Sequence, residues 1–124
     1  MAWTSDELDR LGREPELRIA GRREDGGLRS LVIIWAVVVD DQVYVRSVRG
    51  VDGGWYRGVR DRHEGRIESG GVAADVRFTD IPADDPVQDR IDEAYRAKYP
   101  SSGSSVTAIN APAARAAALR VDRA

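Results

Sequence analysis

The sequence contains no cysteine, and His63 is its only histidine. Without cysteine the chain can form no disulfide, no thiolate nucleophile and no cysteine-ligated metal site. A single histidine also excludes the multi-histidine sites that bind zinc. We therefore predict that the protein uses no metal. Lysine is almost absent too: Lys98 is the one lysine among 19 basic residues, a skew that we attribute to coding bias.

Long hydrophobic runs are also missing. No apolar stretch approaches the roughly 18 residues that a membrane span requires, and the N-terminal MAWTSDELDR lacks the basic start of a signal peptide. We expect a cytoplasmic protein with no membrane partner. A chain of 124 residues, 42% hydrophobic and 32% charged, has the size and composition of a single domain, residues 1–124.

The chain has no net basic charge, yet its basic residues are concentrated in one segment. The formal net charge is −2, yet residues 46–66 carry six arginines against three acids. A basic island on an acidic body suits a small anionic ligand, whereas a nucleic acid needs a broad basic face. We therefore expect a small-molecule ligand and no nucleic-acid partner.

Hydrophobic periodicity predicts six strands, two main helices and a short helix over residues 53–62. Thr4 and Glu7 have the capping-box spacing of a helix over residues 4–12. Pro86 and the apolar spacing after it predict an outer helix over 86–98, and SSGSS predicts a flexible loop at 101–105. The strands are expected near 17–22, 28–39, 42–48, 64–69, 73–81 and 117–122.

These strands lie mostly in hairpins, and antiparallel strands in this number close best as a small barrel covered by helices. The expected class is mainly β with helices (α+β). The second strand, LRSLVIIWAVVV, is apolar and β-branched through residues 31–39. It is therefore expected to be covered on both faces.

The stretch from 21 to 50 resembles the deazaflavin-dependent nitroreductases: a Gly-Arg strand end, a glycine turn, a long apolar strand, and a strand closing on Ser-x-x-Gly. The positions that carry this resemblance are Gly21, Arg22, Gly26, Arg29, Ser47 and Gly50. Residues 14–122 are similar to the domain-of-unknown-function family 2255, through ELRIA, YVRSV, GWYRG, HEGRI and AYRAKY. The resemblance implies a six-stranded split β-barrel of the pyridoxamine-phosphate-oxidase, FMN-binding-like kind. It also implies FMN or a deazaflavin (F420-type) held in a groove between the subunits of a homodimer.

The sequence departs from the nitroreductase pattern in the cofactor-contacting region. It has Ser-Val-Arg-Gly at 47–50 instead of Ser-Lys-Gly-Gly, and Arg57-Gly58 follows the aromatic pair. Both the identity of the cofactor and its binding therefore stay open at this stage.

Ser47, Arg49 and Gly50 stand where a strand meets a glycine-rich loop, a pattern that suits phosphate binding. Ser47 and Arg49 also share the alternation of the inward-facing Val43 and Val45, so we expect both to point toward the barrel mouth. The alternative is a simple tight turn beside a solvated arginine.

Four other residues complete the predicted cofactor site. Trp55 could pack beside a planar ring, although an aromatic near a helix start is more often part of the core. Arg22 and Arg29 could reach the same anion or remain exposed charges paired with nearby acids. The resemblance also places Arg57 in the cofactor-contacting region.

Three functions fit this pattern. The first is an oxidoreductase in which a flavin or deazaflavin performs the hydride chemistry. The second is a cofactor-free barrel that binds or transforms a small anionic or aromatic metabolite, and the third is a structural dimer.

No nucleophile motif accompanies His63, so a structural hydrogen bond is the preferred interpretation of that residue.

Overall fold

The computed structural model of the protein describes residues 2–100 and 103–124. Its strands are β1 Leu17–Gly21, β2 Val32–Ile34, β3 Ala36–Val39, β4 Gln42–Arg46, β5 Glu64–Ser69, β6 Val72–Asp80 and β7 Ala118–Arg123. Its helices are α1 Ser5–Arg13, α2 Gly54–Arg60, α3 Val87–Lys98, α4 Ser104–Ile109 and α5 Pro112–Arg115, with a 3-10 helix at Gly50–Asp52.

The sheet is a nearly closed antiparallel barrel. The strands pair in the order β2-β1-β5-β6-β7-β4-β3, and the two outermost strands, β2 and β3, follow one another directly in the chain with only Trp35 between them. The chain itself thus joins the two ends of the sheet. This confirms the α+β split-barrel class that the sequence predicts.

The second predicted strand differs from expectation in two respects. It divides at Trp35 into β2 and β3, so the sheet has seven strands among the described residues rather than six. Its first half is also not covered on both faces, because Val32 and Ile33 are 38% and 56% exposed. The physical reason is that β2 pairs only with β1, so its other edge is left open.

Two hairpin loops fix the register of this barrel. Asp40 and Asp41 join β3 to β4 with φ of 51° and 63°, and Gly70 and Gly71 join β5 to β6 with φ of 57° and 84°. Positive φ at both central residues is the signature of the type I′ turn, whose twist matches that of the flanking strands.

The apolar side chains form two clusters, one on each face of the barrel wall. The inner cluster fills the barrel with residues such as Ile19, Val45 and Ile67, all fully buried. The outer cluster lies between β3 and α3 and contains Ile91 and Tyr95, also fully buried. Burying a residue of this size stabilises the fold by roughly 1.5–3 kcal/mol, so both faces of the β3–β4 wall contribute to stability.

The helices begin and end close to the expected positions. Thr4 caps α1, with Glu7 N donating to Thr4 Oγ1 at 3.1 Å and Thr4 N to Glu7 Oε1 at 2.9 Å. Helix α3 starts directly after Pro86.

The loop expected at 101–105 is only partly within the described residues, since 101 and 102 lie outside them. Ser104 and Ser105 belong to α4 rather than to a loop. Helix α4 forms there because Val106 and Ile109, three residues apart, pack together against the outer cluster.

In the part of the chain that the structure describes, no helix is both long and apolar enough to cross a membrane.

Candidate functional site

The open edge of β2 creates a groove in the barrel wall. The β3–β4 ladder ends at the pair Ala36–Val45. Continuing the same register would place Ile34 opposite Ser47, Ile33 opposite Val48, and Val32 opposite Arg49. These pairs do not form. All six residues instead line the groove between the two separated strands.

The chain after β4 turns away from β2 and so keeps the groove open. Gly50 N donates to Ser47 O at 2.9 Å and Gly53 N to Gly50 O at 3.1 Å. Gly50 has φ of 72°, a conformation that costs glycine little. The ladder is therefore interrupted by a tight turn whose backbone bonds are satisfied locally.

The groove has two ends that share a middle. The polar end, of about 260 Å³, adds Val32, Ser47, Arg49, Gly53 and Gly54 to the shared lining. The apolar end, of about 290 Å³, adds Trp35, Arg46, Ser105, Ala108 and Ile109. The shared middle consists of Ile33, Ile34, Val48 and Trp55.

Ser47 and two glycines shape the polar end. Ser47 is buried, and a Cβ on Gly53 would lie 2.2 Å from its hydroxyl oxygen. Position 53 must therefore be glycine, because any larger side chain would clash with the Ser47 hydroxyl. Gly54 is different, because a Cβ there would meet nothing within 4 Å. Neither packing nor a positive φ requires glycine at 54, and its missing side chain leaves space in the groove.

Arg49 supplies the positive charge of the polar end. Its side chain is exposed and lines the groove beside Gly53 and Gly54. Among residues 2–100 and 103–124, no hydrogen bond or ion pair engages its guanidinium. Its donors are available to a ligand.

Two tryptophans line the groove. Trp55 is half-buried, packs against the inner cluster and meets Tyr56 edge-on, with ring centroids 6.2 Å apart. Trp35 stacks on Tyr99 with centroids 3.9 Å apart and planes 6° from parallel. Trp35 lies in the stretch that the sequence predicts to be covered on both faces, whereas in the structure it also forms part of the apolar end.

Arg46 belongs to the predicted basic island, but its side chain points into the protein and binds interior acceptors. Its side chain is fully buried and donates to Asp92 Oδ1 at 2.6 Å, to Gln88 Oε1 at 2.7 Å and to Asn110 Oδ1 at 2.9 Å. Burial lowers the pKa of Arg46, and the hydrogen bond that Arg46 donates to Asp92 opposes that shift. The charge of the guanidinium is thus balanced by Asp92 inside the protein, although its Nε is buried without a hydrogen-bond partner in the described structure.

The structure does not bring the other predicted residues to the groove. Arg22 pairs with Asp75 at 2.9 Å. The side chain of Arg29 packs over Gly58 and reaches Asp61 at 3.5 Å.

Gly50 and Arg57 also fall outside the described lining. Gly50 is buried against Ala113, whose carbonyl oxygen would lie 3.2 Å from a Cβ at that position. Arg57 is exposed on α2. A cofactor contact by Arg22, Arg29, Gly50 or Arg57 therefore stays a prediction, and the groove gathers Ser47, Arg49 and Trp55 from the predicted set.

His63 also lies away from the groove lining. Its Nε2 is 3.1 Å from Asp80 Oδ2, and its φ is 54°. Its backbone joins α2 to the barrel, because His63 N donates to Val59 O and Phe78 N donates to His63 O. These contacts give His63 a structural role at the helix-to-strand junction. Across the described residues, no group of three or more His, Cys, Asp or Glu side chains could hold a metal ion.

Some groove residues were missed by the sequence analysis. Ile33 and Ile34 belong to a strand that was expected to be covered, while Ser105 and Ala108 come from α4. The two-residue turn at Asp40 and Asp41 could have identified Ile33 and Ile34. Extending the hairpin register from that turn places Ile34 opposite Ser47 and Ile33 opposite Val48, beyond the last pair that forms. No comparable signal in the sequence marks Ser105 or Ala108.

Solved structures with this fold include flavin- and deazaflavin-associated proteins. A structure described as an F420-H2 dependent reductase is similar, with 13% identity, covering 88% of this chain and 94% of that one, and a TM-score of 0.61. A FAD-binding protein of Mesorhizobium loti is similar with 17% identity over 98% and 91% of the two chains and a TM-score of 0.61. A structure described as a domain-swapped dimer has 16% identity over 97% and 87% and a TM-score of 0.63. At these identities the likeness establishes the split-barrel fold.

A family model provides the relationship by sequence. No curated protein matches the chain. Residues 7–121 match the model described as an uncharacterized protein conserved in bacteria, DUF2255. Because that match spans nearly the whole chain, the protein belongs to the DUF2255 family.

Proposed function

We propose that the protein binds a flavin or deazaflavin in the groove and acts as an oxidoreductase on a small molecule. The observation that carries this proposal is that the β3–β4 ladder ends at Ala36–Val45 and does not continue into β2. This leaves an elongated groove with an arginine and a buried serine at one end and a tryptophan in the middle. Similar split barrels include a described reductase and a FAD-binding protein, which supports the choice of cofactor class.

The groove residues fit such a cofactor by their chemistry. Arg49 and Ser47 would hold the phosphate-bearing part, since charge-assisted bonds to phosphate are among the stronger hydrogen bonds. Gly54 leaves the space that a phosphate or ribityl chain needs, and Trp55 would lie beside the ring. When bound, the cofactor supplies hydride transfer, and the protein's task is to bind and orient it.

A second copy of the chain is proposed as the partner that covers the groove. Four large apolar residues are more than a third exposed in the described structure: Val32, Ile33, Val48 and Val51. Three of them line the groove, and Val51 follows in the adjoining 3-10 helix. Contiguous apolar surface of this kind marks interaction sites, and a symmetric dimer would bury the same patch on both subunits.

The test is titration of the purified protein with FMN, with a deazaflavin and with inorganic phosphate, followed by absorbance and calorimetry. Arg49→Ala should weaken the phosphate-bearing ligands about tenfold or more, since each lost charge-assisted bond costs roughly 1.5 kcal/mol or more and ~1.4 kcal/mol is tenfold. Arg60→Ala is the matched control, because Arg60 is an exposed arginine on α2 outside the described groove lining.

Gly54→Ala is a second probe of the same site. The added methyl would enter the groove without touching another described residue, and alanine is a better helix former than glycine. Cofactor binding should therefore weaken while thermal stability is kept or raised. If the parent protein binds neither cofactor, the proposal is wrong and the cofactor-free metabolite-binding barrel becomes the better interpretation.

A further inference from the structure

The apolar end of the groove differs from the polar end in the charge that it offers to a ligand. It is lined mainly by apolar side chains from β2, from α4 and from the turn after β4, together with Trp35 and with Trp55 of α2. Its charged residue, Arg46, is fully buried and paired with Asp92 at 2.6 Å. Ser105 is the remaining polar side chain in its described lining. An ionised group placed here would lose its hydration without gaining a free countercharge.

The shape of this end suits a flat molecule. The stack on Tyr99 fixes the plane of Trp35, with ring centroids 3.9 Å apart. The volume of this end, which is open to solvent along the groove, is about 290 Å³, and an apolar cavity of about 150 Å³ already holds benzene. The space therefore accommodates roughly two fused rings, with the Ser105 hydroxyl available to one acceptor atom.

We propose that the apolar end is a separate subsite for a neutral, flat molecule of about two fused rings, distinct from the anion-binding polar end. That this molecule is the substrate rests on the proposed oxidoreductase function. The binding itself does not, because Trp35, Ser105 and Ala108 belong to the apolar end alone.

The experiment compares 2-acetylnaphthalene with 2-naphthoate, which have the same ring system but differ in charge. Ligand-observed NMR on the full-length parent protein should show the neutral probe binding at least tenfold more tightly than the anion. Ala108→Phe fills the apolar end from α4 and should weaken the neutral probe at least tenfold. Ser105→Phe, at an exposed position of the same lining, should do the same and serves if Ala108→Phe does not fold.

Thr107→Phe is the matched control, since Thr107 is exposed on α4 and is not in the described lining. It should leave probe binding within twofold of the parent. Equal binding of the two probes, or unchanged binding in both lining variants, would overturn the proposal. Loss of probe binding as the protein concentration rises and dimers form would also overturn it, since a second copy would then occupy this end.

Competition with FMN separates this inference from the proposed function. With two subsites, saturating 2-acetylnaphthalene should change the FMN affinity less than twofold. If FMN displaces the probe, the apolar end belongs to the cofactor ring and the subsite assignment is wrong. If the parent binds the probe but neither FMN nor a deazaflavin, the oxidoreductase proposal fails while the neutral subsite stands.

Discussion

Replacing Asp92 with asparagine should destabilise the protein strongly, although Asp92 lies outside the described groove lining. The carboxylate is the countercharge of Arg46, whose side chain is fully buried, while that of Asp92 is 13% exposed. Its second oxygen accepts from Arg115 at 3.0 Å. Asp92→Asn keeps the size of the side chain but leaves the Arg46 charge buried without its anionic partner.

The expected loss is about 3 kcal/mol of unfolding free energy, the lower end of the range for breaking a buried ion pair. The lower end applies because Arg46 keeps its bonds to the side-chain oxygens of Gln88 and Asn110. Such a loss is a large part of the roughly 5–15 kcal/mol that stabilises a domain. Urea unfolding should therefore show a lower midpoint with an unchanged slope.

Asp89→Asn is the matched control for this variant. Asp89 lies on the same helix and also pairs with Arg115, at 3.2 Å, but its side chain is 80% exposed. The change should alter stability by less than about 0.5 kcal/mol. An Asp92→Asn variant within about 1 kcal/mol of the parent would refute the reasoning, because neutral acceptors alone would then be sufficient to hold the Arg46 charge.

Two further predictions concern pH and assembly. Burial lowers the pKa of Lys98 to about 8 from its ordinary 10.5, so between these values the unfolded chain binds more protons and the unfolding free energy should rise with pH. Urea unfolding between about pH 8 and 10 should show this rise in the parent and not in Lys98→Met. Above about pH 10 the unfolding free energy should fall again, because burial raises the pKa of Tyr99 to about 12 and the unfolded chain loses that proton first. Val51→Asp places a charge in the exposed apolar patch, so it should reduce the mass measured by light scattering from twice 13.6 kDa toward that of a monomer. Val51→Thr should stay dimeric. A parent that is monomeric at micromolar concentration, with and without FMN, would contradict the proposed dimer.

The sequence predicts the barrel well because its strands are joined by local signals. The Asp40–Asp41 and Gly70–Gly71 turns fix two hairpins, and the capping box of α1 forms as the spacing indicates. The break at Trp35 is not predicted, since the residues on either side are all apolar and, apart from Ala36, β-branched. It depends on which neighbours the two halves find, namely β1 for β2 and β4 for β3, and that is decided by tertiary structure.

The candidate site is only partly predictable from alternation along one strand. Ser47 and Arg49 both line the groove, but β4 ends at Arg46 and Val48, which has the opposite parity, lines the groove too. The turn after β4, rather than alternation, therefore places these residues. Arg46 does not follow from such reasoning, because its burial depends on acceptors at 88, 92 and 110, more than 40 positions away. The helix α3 holds a usable signal: Gln88 and Asp92 occupy its buried face together with Ile91 and Tyr95. Polar residues on a buried helical stripe indicate an internal polar partner.

The departure from the nitroreductase pattern has a physical consequence at the groove. The resembling enzymes carry the basic residue directly after the serine, at the position of Val48, whereas this chain carries it one residue later, at Arg49. Val48 lines the shared middle of the groove and Arg49 lines the polar end only. Moving the charge by one residue therefore leaves the middle apolar and confines the available cation to one end. Under the proposed function, a cofactor would then place its anionic group at the polar end and its uncharged ring along the shared middle, which is the distribution of charge in a phosphate-bearing ring cofactor.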